Sequence, residues 1–215
     1  MKYRIVNSSS QGNCTILEHK IAIDMGVSYT KLGKDLTSLK LVLLTHRHSD
    51  HFRKVTLSKL AFNHPTIKFV CINYLVPELL DYVPKRNIFV IEPNKKYDLG
   101  LCKISAFPLK HDVPNVGWKV EINGERCIYA TDTASLEGVV AKGYDLYLIE
   151  GNYDMTEALN RLKEKEAVGE FAYERRAIQN HLSRQQCEEW LAQNMTDKGE
   201  FVCMHQHVDH EKQEV

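Results

Sequence analysis

The segment Thr45-His46-Arg47-His48-Ser49-Asp50-His51 constrains this chain more than any other, because it sets three imidazoles and a carboxylate within six residues. It follows Leu39 to Leu44, a nearly continuous apolar run of the kind found in strands buried on both faces. A turn at the end of such a strand can point all four side chains at one place, and nitrogen and oxygen donors of this kind suit zinc. The alternative is a solvated histidine-rich loop, and the buried strand in front of it argues against that. The fold must therefore bury this strand and keep a site open at its end.

The rest of the chain supplies elements on both sides of that anchor. Over the first forty residues, short apolar stretches (Tyr3 to Val6, Cys14 to Leu17, Ile21 to Asp24) alternate with turn chemistry, the pattern of a β-meander. A helix is expected from about Ser49 through Phe62, and a short one near Pro77 to Tyr82. Strands are expected at Ile67 to Ile72, Ile88 to Ile91, Cys102 to Phe107, Val116 to Ile122, Cys127 to Ala130, Tyr144 to Ile149 and Glu200 to Met204. Asn123-Gly124 is a hairpin turn signal. Met155 to Ala177 reads as a charged helical stretch broken around Gly169, and Ser183 with Gln186 forms a capping-box pattern opening a helix through about Asn194. Strands first, then alternating strands and helices, then a closing strand, fit a layered α/β protein whose helices cover packed sheets. With 215 residues and no repeats or linkers, residues 1–215 read as one domain.

Composition narrows the function classes. The chain carries 28 basic and 28 acidic residues, so there is no excess field for gathering polyanions, although a local basic groove stays open. No apolar run approaches the length of a membrane-spanning helix, and Met1 to Ser10 lacks the order of a secretory signal, which leads to the expectation of a cytoplasmic protein. Six scattered cysteines without a C-x-x-C pair are expected as reduced, mostly buried thiols.

The H-x-H-x-D-H pattern at His46 to His51 resembles the signature of the metallo-β-lactamase superfamily. That resemblance implies an α/β protein of four αββα layers, two packed mixed β-sheets flanked by helices. It also implies two divalent metal ions, with Zn2+ expected first and Mn2+ accepted by the same donors. Carried over residue by residue, it gives His46, His48 and His111 to one metal, Asp50, His51 and His205 to the other, and Asp132 to both as a bridging carboxylate. Asp24, in Ile21-Ala22-Ile23-Asp24-Met25-Gly26, matches the motif whose aspartate hydrogen-bonds the histidine loop and orients a ligand. His181 and His205 are alternatives for the last metal position. In enzymes resembling RNase Z, a histidine before a helix acts on the scissile phosphate and a later one ending a strand binds metal, so His181 is assigned to catalysis, beside Asp50, and His205 to metal. The tail His205-Gln206-His207-Val208-Asp209-His210 repeats the same spacing. The first copy has the buried strand and partner residues in order, so His207 and His210 are expected either as a solvated tail or as groups reaching a neighbouring site.

Asn7 to Thr15, Glu150-Gly151-Asn152-Tyr153-Asp154 and Asn180 to Ser183 are similar to motifs of the RNase Z-like branch, in particular its YycJ/WalJ-like proteins. A phage anti-Pycsar cyclic-nucleotide phosphodiesterase belongs to the same neighbourhood. Bases interspersed with acids, as in Arg161-Leu162-Lys163-Glu164-Lys165-Glu166, tilt the choice towards a small substrate. The expectation is a two-metal phosphodiesterase acting on a 3′,5′-cyclic mononucleotide or other small nucleotide, in the cytoplasm (the host's if phage-encoded). A nuclease acting on DNA or RNA is the alternative, and a thioesterase of the glyoxalase II kind ranks third. A non-catalytic binding module would be marked by a lost ligand, and none is missing. The resemblance further implies a homodimer.

Overall fold

The computed structural model describes residues 1–206. Two six-stranded sheets form the centre. The first runs in chain order: β1 (Tyr3–Ser9), β2 (Gly12–Leu17), β3 (Ile21–Ile23), β4 (Leu41–Leu43), β5 (Lys68–Ile72) and β6 (Ile88–Ile91). Strands β1 to β3 are the antiparallel meander, and β3 to β6 are parallel. The second sheet contains β7 (Lys96–Asp98), β8 (Lys103–Leu109), β9 (Asn115–Ile122), β10 (Glu125–Ala130), β11 (Leu146–Glu150) and β12 (Glu200–Met204). Its first four strands are antiparallel, whereas β10, β11 and β12 are parallel.

Three apolar clusters account for the layering. Leu17, Ile23, Leu43 and Val70 from one sheet face Trp118, Tyr129, Leu148 and Met204 from the other. Helices α1 (Lys54–Asn63) and α2 (Val76–Leu80) place Leu57, Leu60 and Leu79 on Val42, Leu44 and Phe69, on the outer side of the first sheet. Helix α5 (Arg184–Asn194) places Cys187, Trp190 and Leu191 on Ile128, Tyr147 and Ile149, on the outer side of the second. Two further helices, α3 (Met155–Ala167) and α4 (Glu174–Asn180), pack on each other. The result is the expected αββα order. It also explains the apolar run at β4: Leu41 and Leu43 point between the sheets while Val42 points under the helices, so both faces need apolar side chains. Among the described residues no helix is long and apolar enough to cross a membrane.

The expected boundaries shift where tertiary bonds override local pattern. The helix after the histidine motif starts at Lys54 and not at Ser49. Residues 46–53 are held as a loop, with Met25 N donating to His51 O (2.8 Å), Phe52 N to His48 O (2.8 Å) and Arg53 N to Met25 O (3.1 Å). The stretch expected as one broken helix is two, separated around Gly169, whose φ of 72° no helix interior tolerates. Strand β7 and the 3-10 segment Tyr29–Thr37 carried no legible signal; β7 is three residues at a sheet edge with two of them exposed. At Asn123 and Gly124 the φ values of 54° and 84° are those of the expected hairpin turn. Five of the cysteines are buried, whereas Cys203 is only half-buried. His207 and His210 lie outside the described residues.

Candidate metal centre

Every candidate metal ligand, and Asp24 with them, comes from the end of a strand or the loop after it. Asp24 follows β3, His46 to His51 follow β4, His111 follows β8, Asp132 follows β10 and His205 follows β12. Asp24, Asp132 and His205 have φ values of 59°, 57° and 53°. For a residue with a Cβ this left-handed backbone costs about 1–2 kcal/mol, and it persists only when neighbours enforce it. They do: Asp24 N donates to Leu43 O (2.8 Å), Asn115 Nδ2 donates to Asp132 O (2.8 Å), and His205 N donates to Ser8 Oγ (2.7 Å). The kink turns each side chain off its strand and over the sheet ends. Gly26 closes the same corner. A Cβ there would lie 1.6 Å from Asp50 O, so only glycine lets the loop after β3 pass against the histidine motif.

The donors gather in two overlapping groups. Donor atoms of His46, His48 and His111 lie within 4.8 Å of one another, and so do those of Asp50, His51 and His205; Asp132 forms a further such group with His46 and His51. Asp132 lies against both triads: its Oδ2 is 2.8 Å from His51 Nε2 and its Oδ1 3.4 Å from His205 Nε2 in the second, and it comes within 4.8 Å of the His46 donor in the first. Each triad can hold one ion, and Asp132 can reach both.

The far nitrogen of most of these imidazoles is fixed, which selects the nitrogen left for the site. Asp24 is wholly buried and accepts from His51 Nδ1 (2.7 Å) and from Thr45 N and Oγ1 (both 2.9 Å). Thr45 Oγ1 in turn accepts from His46 Nδ1 (2.9 Å). His111 Nδ1 donates to Asn180 O (3.2 Å), and Asn152 Nδ2 lies 3.0 Å from His205 Nδ1 while donating to His205 O (2.7 Å). The inner atoms His46 Nε2, Asp132 Oδ2 and His205 Nε2 are buried and make no well-formed hydrogen bond; Asp132 Oδ2 and His205 Nε2 face only other donors of the cluster, His51 Nε2 and the carboxylates of Asp50 and Asp132. Unpaired buried polar atoms cost about 1–3 kcal/mol each, and a cation among them satisfies all three. Burial holds the His46 imidazole well below its usual range, so it stays neutral as a ligand must. Burial would raise the Asp132 carboxyl, but His51 and His205 outweigh it and hold Asp132 ionised. Burial would likewise lower His51, and Asp132 and Asp24 outweigh it in the other direction. Imidazoles and carboxylates in these numbers fit a divalent zinc- or manganese-type ion.

The family model described as Beta-lactamase superfamily domain matches residues 25–206. The chain belongs to this superfamily. Among curated proteins it is similar to the exodeoxyribonuclease WalJ of Streptococcus pneumoniae, 28% identical over 179 residues, covering 72% of this chain and 63% of the relative. The chain thus spans less than two thirds of the length of the curated relatives it matches. Among solved structures, the metallo-beta-lactamase fold protein YhfI from Bacillus subtilis matches with a TM-score of 0.71 at 13% identity, covering 97% of this chain and 88% of that one. The short form of human tRNase Z matches with a TM-score of 0.71 at 15% identity, covering 98% and 94%. Zn(2+)-bound PqqB from Methylobacterium extorquens matches with a TM-score of 0.66 at 13% identity, covering 96% and 89%. These structures establish the metallo-β-lactamase fold.

In this beta-lactamase superfamily site, His181 stands beside the metal cluster and not within either triad. It follows α4, immediately ahead of the helix capped by Ser183, whose reciprocal bonds with Gln186 complete the expected capping box. Its Nδ1 donates to Glu150 Oε1 (2.7 Å), while Glu150 Oε2 accepts from Thr133 N (2.9 Å) and Leu182 N (3.3 Å). Burial would lower the His181 pKa, but its bond to the Glu150 carboxylate outweighs that and raises it. Glu150, Asn152 and Asn13, which the motif reading quoted without assigning, each touch a candidate site residue. Asn13 Nδ2 lies 3.3 Å from Asp50 Oδ2 and 2.8 Å from His51 Nε2. For Glu150 a signal existed: an acid directly after the apolar run Tyr144 to Ile149 must be buried, and a buried carboxylate needs a partner.

Proposed function

We propose that this chain is a two-metal phosphodiesterase. His46, His48 and His111 hold one divalent ion, Asp50, His51 and His205 hold the other, and Asp132 serves both; Zn2+ is the expected metal and Mn2+ a compatible one. The observation that carries the reading is the pair of triads with Asp132 against both, and with His46 Nε2, Asp132 Oδ2 and His205 Nε2 buried and turned to one another's neighbourhood without a well-formed hydrogen bond. When bound, such ions activate the attacking water and stabilise charge on the phosphoryl oxygens. The chain's own residues do the rest. Asp24 and Thr45 fix the ring orientations of His51 and His46, and Asn180 O fixes that of His111. Glu150 holds the Nδ1 proton of His181 and raises its pKa, so His181 can carry a proton on Nε2 and deliver it to the leaving oxygen. That pair also separates the phosphodiesterase from the thioesterase reading, because an alkoxide leaving group needs a proton, whereas a thiolate of pKa about 8.5 leaves without one.

The substrate is a nucleotide phosphodiester. Similarity to an exodeoxyribonuclease supports a nucleic-acid strand. The cavity over the metal cluster, of about 260 Å³, supports a second reading, a 3′,5′-cyclic mononucleotide, because it is no larger than one nucleotide requires. Single-domain organisation, a cytoplasmic location and a homodimer belong to the same proposal, the dimer to be tested by sedimentation. The deciding experiment is hydrolysis, by metal-loaded protein, of cyclic mononucleotides and of labelled single- and double-stranded DNA and RNA, with Asp50→Ala as control. Metal-dependent turnover of at least one phosphodiester, absent in the control, is expected. Turnover of thioesters alone would overturn the reading.

A further inference from the structure

The outer face of the second sheet is only partly covered by α5, which lies over Ile128, Tyr147 and Ile149. Beyond it, β7 to β10 floor a cavity of about 660 Å³, and no residue of its lining also lines the cavity over the metal cluster. Its charge follows from the strand period. Ile104 and Ala106, Trp118 and Val120, and Cys127 and Tyr129 face the first sheet, so their neighbours Lys103, Lys119, Glu121 and Arg126 face outward. Lys96 is opposite Ser105 across β7 and β8 and shares that side. The fold thereby gathers Lys96, Lys103, Lys119 and Arg126 into one hollow. Glu121, the one carboxylate of this lining, is bonded to Lys103 at 3.0 Å, and no ion pair holds the side chains of Lys96, Lys119 or Arg126 among the described residues. Two of these three are fixed in place. Lys119 Nζ donates to Val140 O (2.7 Å) and lies 5.5 Å from the Phe107 ring centre; the Arg126 guanidinium donates to Gly143 O and lies 4.8 Å from the Tyr144 ring centre. Each of these groups carries more donors than those bonds use. Burial, and after it Lys96, lowers the Lys119 pKa, and an anion in the hollow opposes both effects. The three cations exceed what one phosphate ester, of charge roughly −2 at most, neutralises.

We propose that this hollow is a second ligand site, separate from the metal cluster, which binds an oligophosphate group, either free or carried by a nucleotide, between Lys96, Lys119 and Arg126. Ser105 and Arg126 each lie six residues before a candidate metal ligand, His111 and Asp132. That is about 20 Å of extended chain. A short phosphate chain cannot touch both places, so the site stands whether or not the cluster hydrolyses phosphodiesters. The test is lysine acylation of metal-loaded protein at low ionic strength, read residue by residue by peptide mass spectrometry, during a titration with inorganic tripolyphosphate. Lys96 and Lys119 should become protected together, while Lys85, exposed and outside the hollow, keeps reacting. In Arg126→Gln the midpoint of that protection should move to about tenfold higher concentration or more, the loss of one charge-assisted contact. Parallel titrations with adenosine 5′-triphosphate and adenosine distinguish the sources. Protection by the triphosphate at a lower concentration than by tripolyphosphate makes the ligand a nucleotide, and protection at an equal or higher one makes it the free chain. Full reactivity of Lys96 and Lys119 at about 1 mM of both phosphates, the weak end of specific affinity, would overturn the proposal whether or not the variant folds. So would protection by adenosine, or an unshifted midpoint in a folded Arg126→Gln protein.

Discussion

Replacing Glu150 by Gln tests whether His181 is an acid or a ligand. The carboxylate is wholly buried and accepts on both oxygens, from His181 Nδ1 at 2.7 Å on one side and from Thr133 N and Leu182 N on the other. An amide of the same shape has one acceptor and one donor end. With its oxygen towards His181, its NH2 group meets two backbone donors. With its oxygen towards the backbone, its NH2 group faces the imidazole. Either way the imidazolium loses a charged acceptor, and the difference between a charged and a neutral hydrogen bond is about 1–2 kcal/mol. That corresponds to roughly one unit of pKa. The protonated form of His181 is the active one in this scheme, so activity falls as pH rises through its raised pKa. In Glu150→Gln the alkaline limb should move down by about one pH unit, and kcat above that limb should fall by about 5–30-fold on an alkyl phosphodiester, the rate equivalent of about 1–2 kcal/mol. On an aryl diester with a nitrophenolate leaving group, which departs without a proton, the loss should shrink to a few fold. Metal content, measured by mass spectrometry, should stay at the unaltered level, because Glu150 belongs to neither triad. Glu150 does lie with Asp132, His181 and His205 in a fourth group whose donor atoms are within 4.8 Å of one another. Loss of metal in the variant, or equal losses on both substrates, would refute the acid role and make that fourth group the metal site.

Three further perturbations probe the scaffold of the centre. Asp24→Asn removes the acceptor for His51 Nδ1 and Thr45 and should weaken metal affinity by about 10–100-fold, read by competition with a chelating dye. Gly26→Ala places a methyl 1.6 Å from Asp50 O; the two loops must separate, and thermal unfolding should show a loss of at least about 1–3 kcal/mol together with lost metal. Asp35 is buried and bonded to Arg4 Nε (2.8 Å) and His19 Nδ1 (2.7 Å). Burial raises its pKa, but these partners outweigh it and the net pKa is lowered. Its stabilisation is then complete above the unfolded value near about 3.9 and is lost as pH falls through the lowered folded value. Asp35→Asn should cost about 1–3 kcal/mol at neutral pH and progressively less below about pH 4, measured by denaturant melts.

Most of the architecture was legible because each layer imposes its own period. The run at β4 is apolar throughout because it faces two cores, and Ser183 with Gln186 announces α5 because an exposed first turn needs its donors capped. What stayed illegible depends on contacts between segments distant in sequence. The start of α1 at Lys54 is set by the backbone bonds of the loop 46–53 to Met25, which local propensity does not contain. Even charge along the chain likewise hides that the fold brings Arg47, Arg53 and Lys54 into the lining of one cavity, where Glu78 is paired with Arg47.

Several departures from local rules meet at the metal cluster, whereas the other left-handed residues, Glu18, His19, Asn94 and Asn123, sit in turns. Asp24, Asp132 and His205 occupy backbone that glycine would adopt without strain, and glycine at each would recover about 1–2 kcal/mol. It would also delete the anchor of His51, the carboxylate between the triads and the last nitrogen of the second triad. Cations open α1 where acids would stabilise it, and Glu150 is buried where an apolar residue would pack. A chain selected for stability alone would have removed all of these. Their concentration around His46, Asp132 and His205 is what an active centre requires, where neighbours hold a strained group because it has a task that the relaxed one cannot perform.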